Sequence, residues 1–160
     1  MKHFLIVVML CMAGSLFAQK SGHIDYNKLI QAMPETKAAA EELKKTQTSL
    51  NAKLTDMQKE LQAKSQAPKE TNEALAKAQE EEISALNARI SSFQQTANEQ
   101  IQKEQNKLFT PIVEKAKKAL AEVAKSQGLR YVYEVNDLLY YSDDSVDLMK
   151  PVKEKLGIKE

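Results

Sequence analysis

Residues 34–66 read PETKAAAEELKKTQTSLNAKLTDMQKELQAKSQ, and this stretch decides the fold. It contains no Gly, and it consists mainly of Ala, Glu, Lys, Leu and Gln, which are strong helix formers. Pro34 suits the first turn of a helix, because the N–H that proline lacks would have no partner there. The stretch therefore predicts a single helix, roughly 50 Å long at about 1.5 Å per residue.

The larger apolar residues of this helix form one stripe. They follow one another at spacings of 7, 4, 3 and 4 residues, which is the a/d pattern of a coiled-coil seam. Lys, Glu, Gln and Thr fill the positions between them. The stripe consists of Leu43, Leu50, Leu54, Met57 and Leu61.

A second helix follows after a short break. Pro68 interrupts the first run, and because a residue before proline avoids the helical region, the first helix is expected to end near residues 65–67. A second Gly-free run begins at Lys69 and continues to Gln127. Two helices that each carry an apolar stripe and are joined by a short break predict an antiparallel hairpin with its tip near residues 65–69. The second stripe consists of Leu75, Ile83, Leu86, Ile90, Phe93, Ala97 and Ile101.

The second helix is longer than the first. Its last part, residues 102–127, has no partner in the hairpin and must pack on something else. Pro111 lies inside this part and predicts a kink near Thr110, because proline removes a helical hydrogen bond.

The residues that flank the hairpin predict short strands. Gly22–Tyr26 is a strand candidate, with Asn27 as the cap of a short helical turn. Gly128 is expected to end the second helix. From Leu129 to Val135, apolar and polar residues alternate as in a half-buried strand, with Tyr131 and Tyr133 on the apolar face.

The residues after Val135 predict a closing strand and helix. Asn136-Asp137 can make a tight turn into a second strand, Leu138–Tyr141, whose two faces are both apolar and therefore favour burial by neighbouring subunits. Asp147 is expected to cap a final helix that has Pro151 in its first turn and Gly157 at its end.

These elements predict an α+β fold in which a long antiparallel coiled-coil hairpin is inserted into a small β-sheet base. The hairpin arm is residues 34–127, and the base is formed by residues 19–33 together with residues 128–160 and their C-terminal helix. Three short strands per chain cannot make a sound core alone, which favours oligomerisation through the base.

The first residues are typical of an export signal. Lys2 is followed by an apolar run from Phe4 to Met12, and the segment closes with small residues, so we expect cleavage near Ala18. A membrane anchor is the alternative, but the run is shorter than the roughly 20 apolar residues that span a bilayer. A lipoprotein at Cys11 is disfavoured by the large Leu10 before it. Cleavage removes Lys2 alone among the charged residues and brings the net charge from +1 to zero.

The residue inventory argues against an enzyme. After cleavage one His and no Cys remain, and the pair His23 and Asp25 has no nucleophile beside it. Asp143, Asp144 and Asp147 do not follow the spacing of an EF-hand loop. No Gly-rich phosphate loop occurs, so we expect no cofactor and no metal. The balance of 23 basic and 22 acidic residues gives no reason to expect nucleic-acid binding.

Specific stretches at both ends and in the return helix resemble the Skp/OmpH family of periplasmic chaperones. The resemblance covers essentially the whole mature chain. It is carried by Gly22-His-Ile-Asp25 with Leu29-Ile30 and Ala32-Met-Pro-Glu35, by Leu108-Phe-Thr-Pro-Ile112 with Lys115, Ala119-Leu120 and Val123-Ala124, and by Tyr131-Val-Tyr-Glu-Val135 with Asn136, Leu139-Tyr-Tyr141 and Asp147-Leu148.

The resemblance implies a homotrimer in the periplasm whose three arms hold unfolded outer-membrane proteins without ATP. Once the signal is cleaved, we expect no stable membrane insertion. Well-known members are strongly basic, whereas this mature chain is neutral, which puts in doubt a role for bulk positive charge. A structural coiled-coil spacer or adaptor of the envelope is the alternative.

Two sets of residues are candidates for these roles. On the arm, apolar residues toward the free end are expected to contact clients: Leu54, Met57, Leu61, Leu75, Ile83, Leu86 and Phe93. On the base, apolar and aromatic residues of the strands are expected to join the subunits: Ile24, Tyr131, Tyr133, Val135, Leu139 and Tyr141.

Overall fold

The computed structural model describes residues 20–68 and 71–159, so the predicted export signal and Lys69 lie outside the described residues. The predicted class, a long helical hairpin with a small sheet, is confirmed. The elements in chain order are β1 (Ser21–Ile24), α1 (Tyr26–Ala32), α2 (Pro34–Gln66), α3 (Glu73–Ser126), β2 (Tyr131–Glu134), a 3-10 turn (Val135–Asp137), β3 (Val146–Asp147) and α4 (Met149–Leu156).

The described residues divide into two compact units. One unit, which we call the base, consists of residues 20–33 and 113–159. The other, the arm, is Pro34–Ile112 and contains α2 and the first part of α3. The last part of α3 therefore groups with the sheet rather than with the hairpin.

The sheet is parallel and has β1 at its centre. The strand order is β2-β1-β3, and the registers pair His23 with Tyr133 on one side and with Asp147 on the other. A parallel pair needs a long crossover connection, and the chain from α1 through α3 provides it between β1 and β2.

The predicted strand at Leu138–Tyr141 is wrong, and so is its hairpin with the preceding strand. The chain leaves β2 through the 3-10 turn, where the Glu134 carboxylate accepts hydrogen bonds from the Asn136 side chain and from the backbone N–H of Tyr26. Residues 138–141 then pair with no strand among residues 20–68 and 71–159. The place beside β1 is taken by the two-residue strand β3 instead.

Two predicted helix starts are also wrong. Asp25, not Asn27, caps α1, because its carboxylate accepts a hydrogen bond of 2.9 Å from the backbone N–H of Lys28. Helix α3 begins at Glu73 rather than Lys69, since the Asn72 side chain accepts from the backbone N–H of Ala74 at 2.9 Å. In both cases a short polar side chain satisfies a backbone donor that has no partner within the helix.

The predicted helix ends are confirmed. Gly128 has φ of 68°, and the N–H of Leu129 reaches back to the carbonyl of Ala124, as in a Schellman cap. Gly157 ends α4 in the same left-handed conformation. At the start of α4 the predicted cap is wrong by one residue: Leu148 is the cap residue and makes no side-chain cap hydrogen bond, while Asp147 lies in β3. The Asp147 carboxylate still accepts a hydrogen bond of 2.8 Å from the N–H of Met149.

The core of the base joins the sheet to three helices. Fully buried side chains come from β1, α1 and α4, and α3 adds the buried Ala116, Ala119 and Val123. The Tyr26 hydroxyl donates to the carbonyl of Val113 at 2.9 Å. From residue 113 onward, the overhang of the second helix therefore packs against the base. Helix α3 is continuous across Pro111, and the kink near Thr110 stays a prediction.

Gly22 offers the first test of this core. A Cβ at Gly22 would lie 2.8 Å from Leu129 Cδ1 and 3.0 Å from the backbone oxygen of Val146. Because that oxygen belongs to a paired strand, Gly22→Ala should destabilise the base by about 1–3 kcal/mol, the usual cost of overpacking. Thermal unfolding followed by circular dichroism measures the loss. Ser21→Ala on the same strand is the control, and an equal effect of the two substitutions would contradict the packing argument.

Candidate functional surfaces

The arm is held by an apolar seam between α2 and α3. Met57, Leu86 and Ile90 are buried together, and Leu54, Leu61 and Phe93 pack against them. Polar contacts mark the register. The Lys53 ammonium lies 5.3 Å from the centre of the Phe93 ring, and the Lys64 ammonium lies 2.5 Å from a carboxylate oxygen of Glu82. Later residues of α2 thus meet earlier residues of α3, so the two helices are antiparallel.

The predicted client-binding residues differ in how much surface they expose. Met57 and Leu86 are only 7% and 6% exposed, so their side chains are committed to the seam. Leu54, Leu61, Ile83 and Phe93 are half-buried. Leu75, at 54% exposed, is the one of the seven whose side chain is mostly free. The a/d stripe predicted the seam, but it could not separate seam residues from residues that face solvent.

Four of the six predicted oligomerisation residues are exposed on the base, and two are not. Ile24 is buried in the core of its own chain, and Val135 is half-buried. Tyr131 and Tyr133 are 53% and 46% exposed, and their ring centres lie 6.3 Å apart. Leu139 and Tyr141 are also exposed. Sequence reasoning missed Tyr140, which is 81% exposed.

A small cleft lies beside β2 on the base. Its volume is about 260 Å³, and its walls are mostly apolar. No signal in the sequence marked this cleft, because its lining comes from four separate elements. The lining residues are Ile24, Tyr26, Lys117, Leu120, Val132, Tyr133 and Glu134.

His23 and Asp25, considered above as a possible catalytic pair, both have structural contacts. His23 Nδ1 lies 3.0 Å from the Ser145 hydroxyl, and the His23 ring centre lies 4.2 Å from that of Tyr141. The Asp25 carboxylate caps α1 and lies 2.8 Å from the Lys28 ammonium. These hydrogen bonds with Lys28 hold the pKa of Asp25 below its ordinary value of 3.8.

The described residues offer neither a metal-binding cluster nor a membrane-spanning helix. Within residues 20–68 and 71–159, no three His, Cys, Asp or Glu side chains are grouped so as to hold a metal ion. In the same part of the chain, no helix combines the length and apolar character that crossing a membrane requires.

Comparison with known families gives a match over most of the chain. The model of the family described as outer membrane protein (OmpH-like) matches residues 20–156, a range that includes all the strands and helices described above. A comparison with curated proteins finds no match.

The seam predicts unequal effects of two leucine substitutions on the same helix. Leu86→Ala should destabilise the arm by about 2–5 kcal/mol, because it leaves a cavity in a buried cluster. Leu75→Ala should change stability by no more than about 0.5 kcal/mol, since its side chain already faces water. Urea unfolding followed by circular dichroism measures both. Equal losses would show that the two helices do not pack through this seam.

The depressed pKa of Asp25 predicts a pH-dependent contribution to stability. A carboxyl whose pKa is lower in the folded state stabilises the fold above pH 3.8, its ordinary pKa, and that contribution is lost as the pH falls through the folded value. Asp25→Asn keeps a capping oxygen but removes the charge. The variant should therefore be less stable than the native chain near neutral pH, and the difference should shrink in acid. Thermal unfolding midpoints across the pH range test this, and a constant difference would contradict it.

Proposed function

Because the chain belongs to the family described as outer membrane protein (OmpH-like), we propose that it is an ATP-independent holdase that binds unfolded outer-membrane proteins in the periplasm. At the level of the family it is an outer-membrane-protein-associated chaperone. The finer proposal is that it keeps clients from aggregating until they are inserted, after export with cleavage near Ala18.

One observation carries this proposal: the family match extends across both the sheet and the hairpin, so it does not rest on coiled-coil character alone. Any coiled coil would share the stripe of the arm. The base is more specific, because its three parallel strands come from opposite ends of the chain.

The chemistry of the arm suits weak and unspecific holding. An unfolded β-barrel precursor exposes alternating apolar residues that aggregate in water. The arm offers the exposed Leu75 and the half-buried Leu54, Leu61 and Phe93, each of which can bury a little more surface against a client. Met57 and Leu86 would act indirectly, by keeping the arm folded.

We propose a homotrimer because several weak arms together hold a client more firmly than one. Linked sites raise the effective concentration of each contact, so avidity can exceed the single affinity by about 10²–10⁴. The exposed tyrosines 131 and 133 of the base support subunit contact there, since large apolar surfaces on a soluble chain mark interaction sites.

An aggregation assay tests the holdase. A denatured outer-membrane β-barrel protein is diluted from urea with and without this chain, and light scattering is followed over time. We expect suppression at a near-stoichiometric ratio of trimer to client, without nucleotide. Undiminished aggregation would contradict the proposal and favour the envelope spacer.

A shortened arm tests where clients bind. Replacing residues 64–82 by a short Gly-Ser linker removes the tip with Leu75 but keeps the seam cluster of Met57, Leu86 and Ile90. We expect an intact oligomer that suppresses aggregation at least about tenfold less well, because dispersed contacts are lost together. Leu75→Asp alone is the matched control and should weaken holding only slightly. A shortened chain that holds clients as well as the native chain would move the binding site to the base.

A further inference from the structure

The segment after β2 presents two side chains that the described part of the chain leaves uncovered. Leu139 is as exposed as in an isolated peptide, and its neighbour Tyr140 is 81% exposed. Asp137 precedes this pair and Asp143 follows it, and both are exposed. We call Leu139 and Tyr140 the peg. The peg is thus an apolar tip with a carboxylate on each side.

The peg stands on a fixed support. His23, which is buried on the central strand, meets the Ser145 hydroxyl through Nδ1 at 3.0 Å and packs its ring against Tyr141. The backbone N–H of Ser145 also donates to the carbonyl of Ser142 at 2.9 Å. The segment is therefore fastened to the sheet immediately after the peg. A docking group held in this way loses less conformational entropy when it binds.

The cleft beside β2 has the complementary character. Ile24, Leu120 and Val132 supply apolar walls, and Lys117 supplies a cation. The other charged group, the Glu134 carboxylate, already accepts hydrogen bonds from Tyr26 and Asn136. No residue of 138–145 lines the cleft, so the peg does not fill the cleft of its own chain. At about 260 Å³ the cleft is smaller than the roughly 300–1,000 Å³ of small-molecule pockets, and it suits one or two side chains.

We propose that the peg of one copy of this chain inserts into the cleft of a second copy, with the carboxylates of Asp137 and Asp143 facing Lys117. The proposal rests on the homotrimer proposed above and names the contact that builds it. Charge complementarity favours a second copy as the occupant. The peg has an aspartate on each side, and the charged group of the cleft that has no hydrogen-bond partner among the described residues is the Lys117 ammonium. The apolar walls of the cleft can pack against the apolar side chains of Leu139 and Tyr140.

This contact joins two different surfaces, which has a consequence for symmetry. A contact between unlike surfaces leaves one peg and one cleft unused in every dimer. Such head-to-tail contacts add further copies until the ring closes. A three-membered ring uses every peg and every cleft, whereas a two-fold contact of identical surfaces would stop at a dimer.

Three sets of variants test the contact in the purified full-length protein. The peg variant is Leu139→Asp with Tyr140→Asp, at positions where exposure makes misfolding a minor concern. The cleft variant is Lys117→Glu with Leu120→Trp, and Lys117→Glu alone serves if the double substitution loses the native circular dichroism. Leu75→Asp, an exposed leucine on the arm, is the matched control. Light scattering over a dilution series gives the concentration of half-dissociation.

The peg and cleft variants should each raise the concentration of half-dissociation at least about tenfold, while Leu75→Asp leaves it unchanged. Mixing the peg variant with the cleft variant should restore a heterodimer, because one intact peg then meets one intact cleft. Combining Asp137→Lys and Asp143→Lys with Lys117→Glu should recover part of the affinity that either change loses alone.

Other outcomes overturn the proposal in distinguishable ways. A native trimer that the peg variant leaves equally tight removes this contact but keeps the proposed function. A peg variant that stays trimeric but no longer holds clients would make the segment a client site. Loss of assembly without restoration on mixing would assign the peg to a different surface. A native chain that is monomeric at micromolar concentration would remove both the contact and the proposed trimer, while the holdase is still decided by the aggregation assay.

Discussion

The parallel pairing of β1 with two strands from the other end of the chain is the constraint on which the fold depends. β1 lies between β2 and β3, so the sheet cannot form until the chain has returned over more than a hundred residues. Closing so long a loop carries an entropic cost, and such pairings form slowly. The seam of the arm joins residues that are much closer in sequence than the strands of the sheet, so forming it carries a smaller entropic cost.

Residues 22–25 each make a contact that stabilises the base. Gly22 leaves room for Leu129 and for the backbone of β3, His23 fastens the segment that follows β2, and Asp25 starts α1. Each of these contacts joins a residue near the start of the chain to its surroundings through a different physical effect: close packing, a hydrogen bond with ring stacking, and a charged cap. Residues 22–25 therefore stabilise the base at three separate places.

Local signals explain which parts of this structure the sequence could predict. The helix at residues 34–66 was predicted because propensity, an apolar stripe and two prolines all agree there. The sequence does not predict strand β3, because two residues are too few to show the alternation of apolar and polar residues that marks a strand. Its position is set by its pairing with β1. Leu138–Tyr141 has the apolar character of a strand, but among the described residues it pairs with no strand. On the arm, spacing predicted both Met57 and Leu75 as stripe residues, although Met57 is buried and Leu75 is mostly exposed. Spacing alone does not show which side chain the opposite helix covers.

The two units use their apolar residues in opposite ways, and this bears on what each can bind. The arm places most of its large apolar side chains in the seam and leaves only partial surface between charged residues, so any partner meets many small contacts of about 1 kcal/mol or less. Such a surface tolerates varied sequences and favours none. The base exposes four tyrosines and a leucine between residues 131 and 141, and one of them, Tyr141, packs against His23 of the central strand. Rigid, aromatic and concentrated surfaces discriminate between partners. The base therefore presents its exposed apolar and aromatic surface in one place, whereas the arm spreads small amounts of it along two helices.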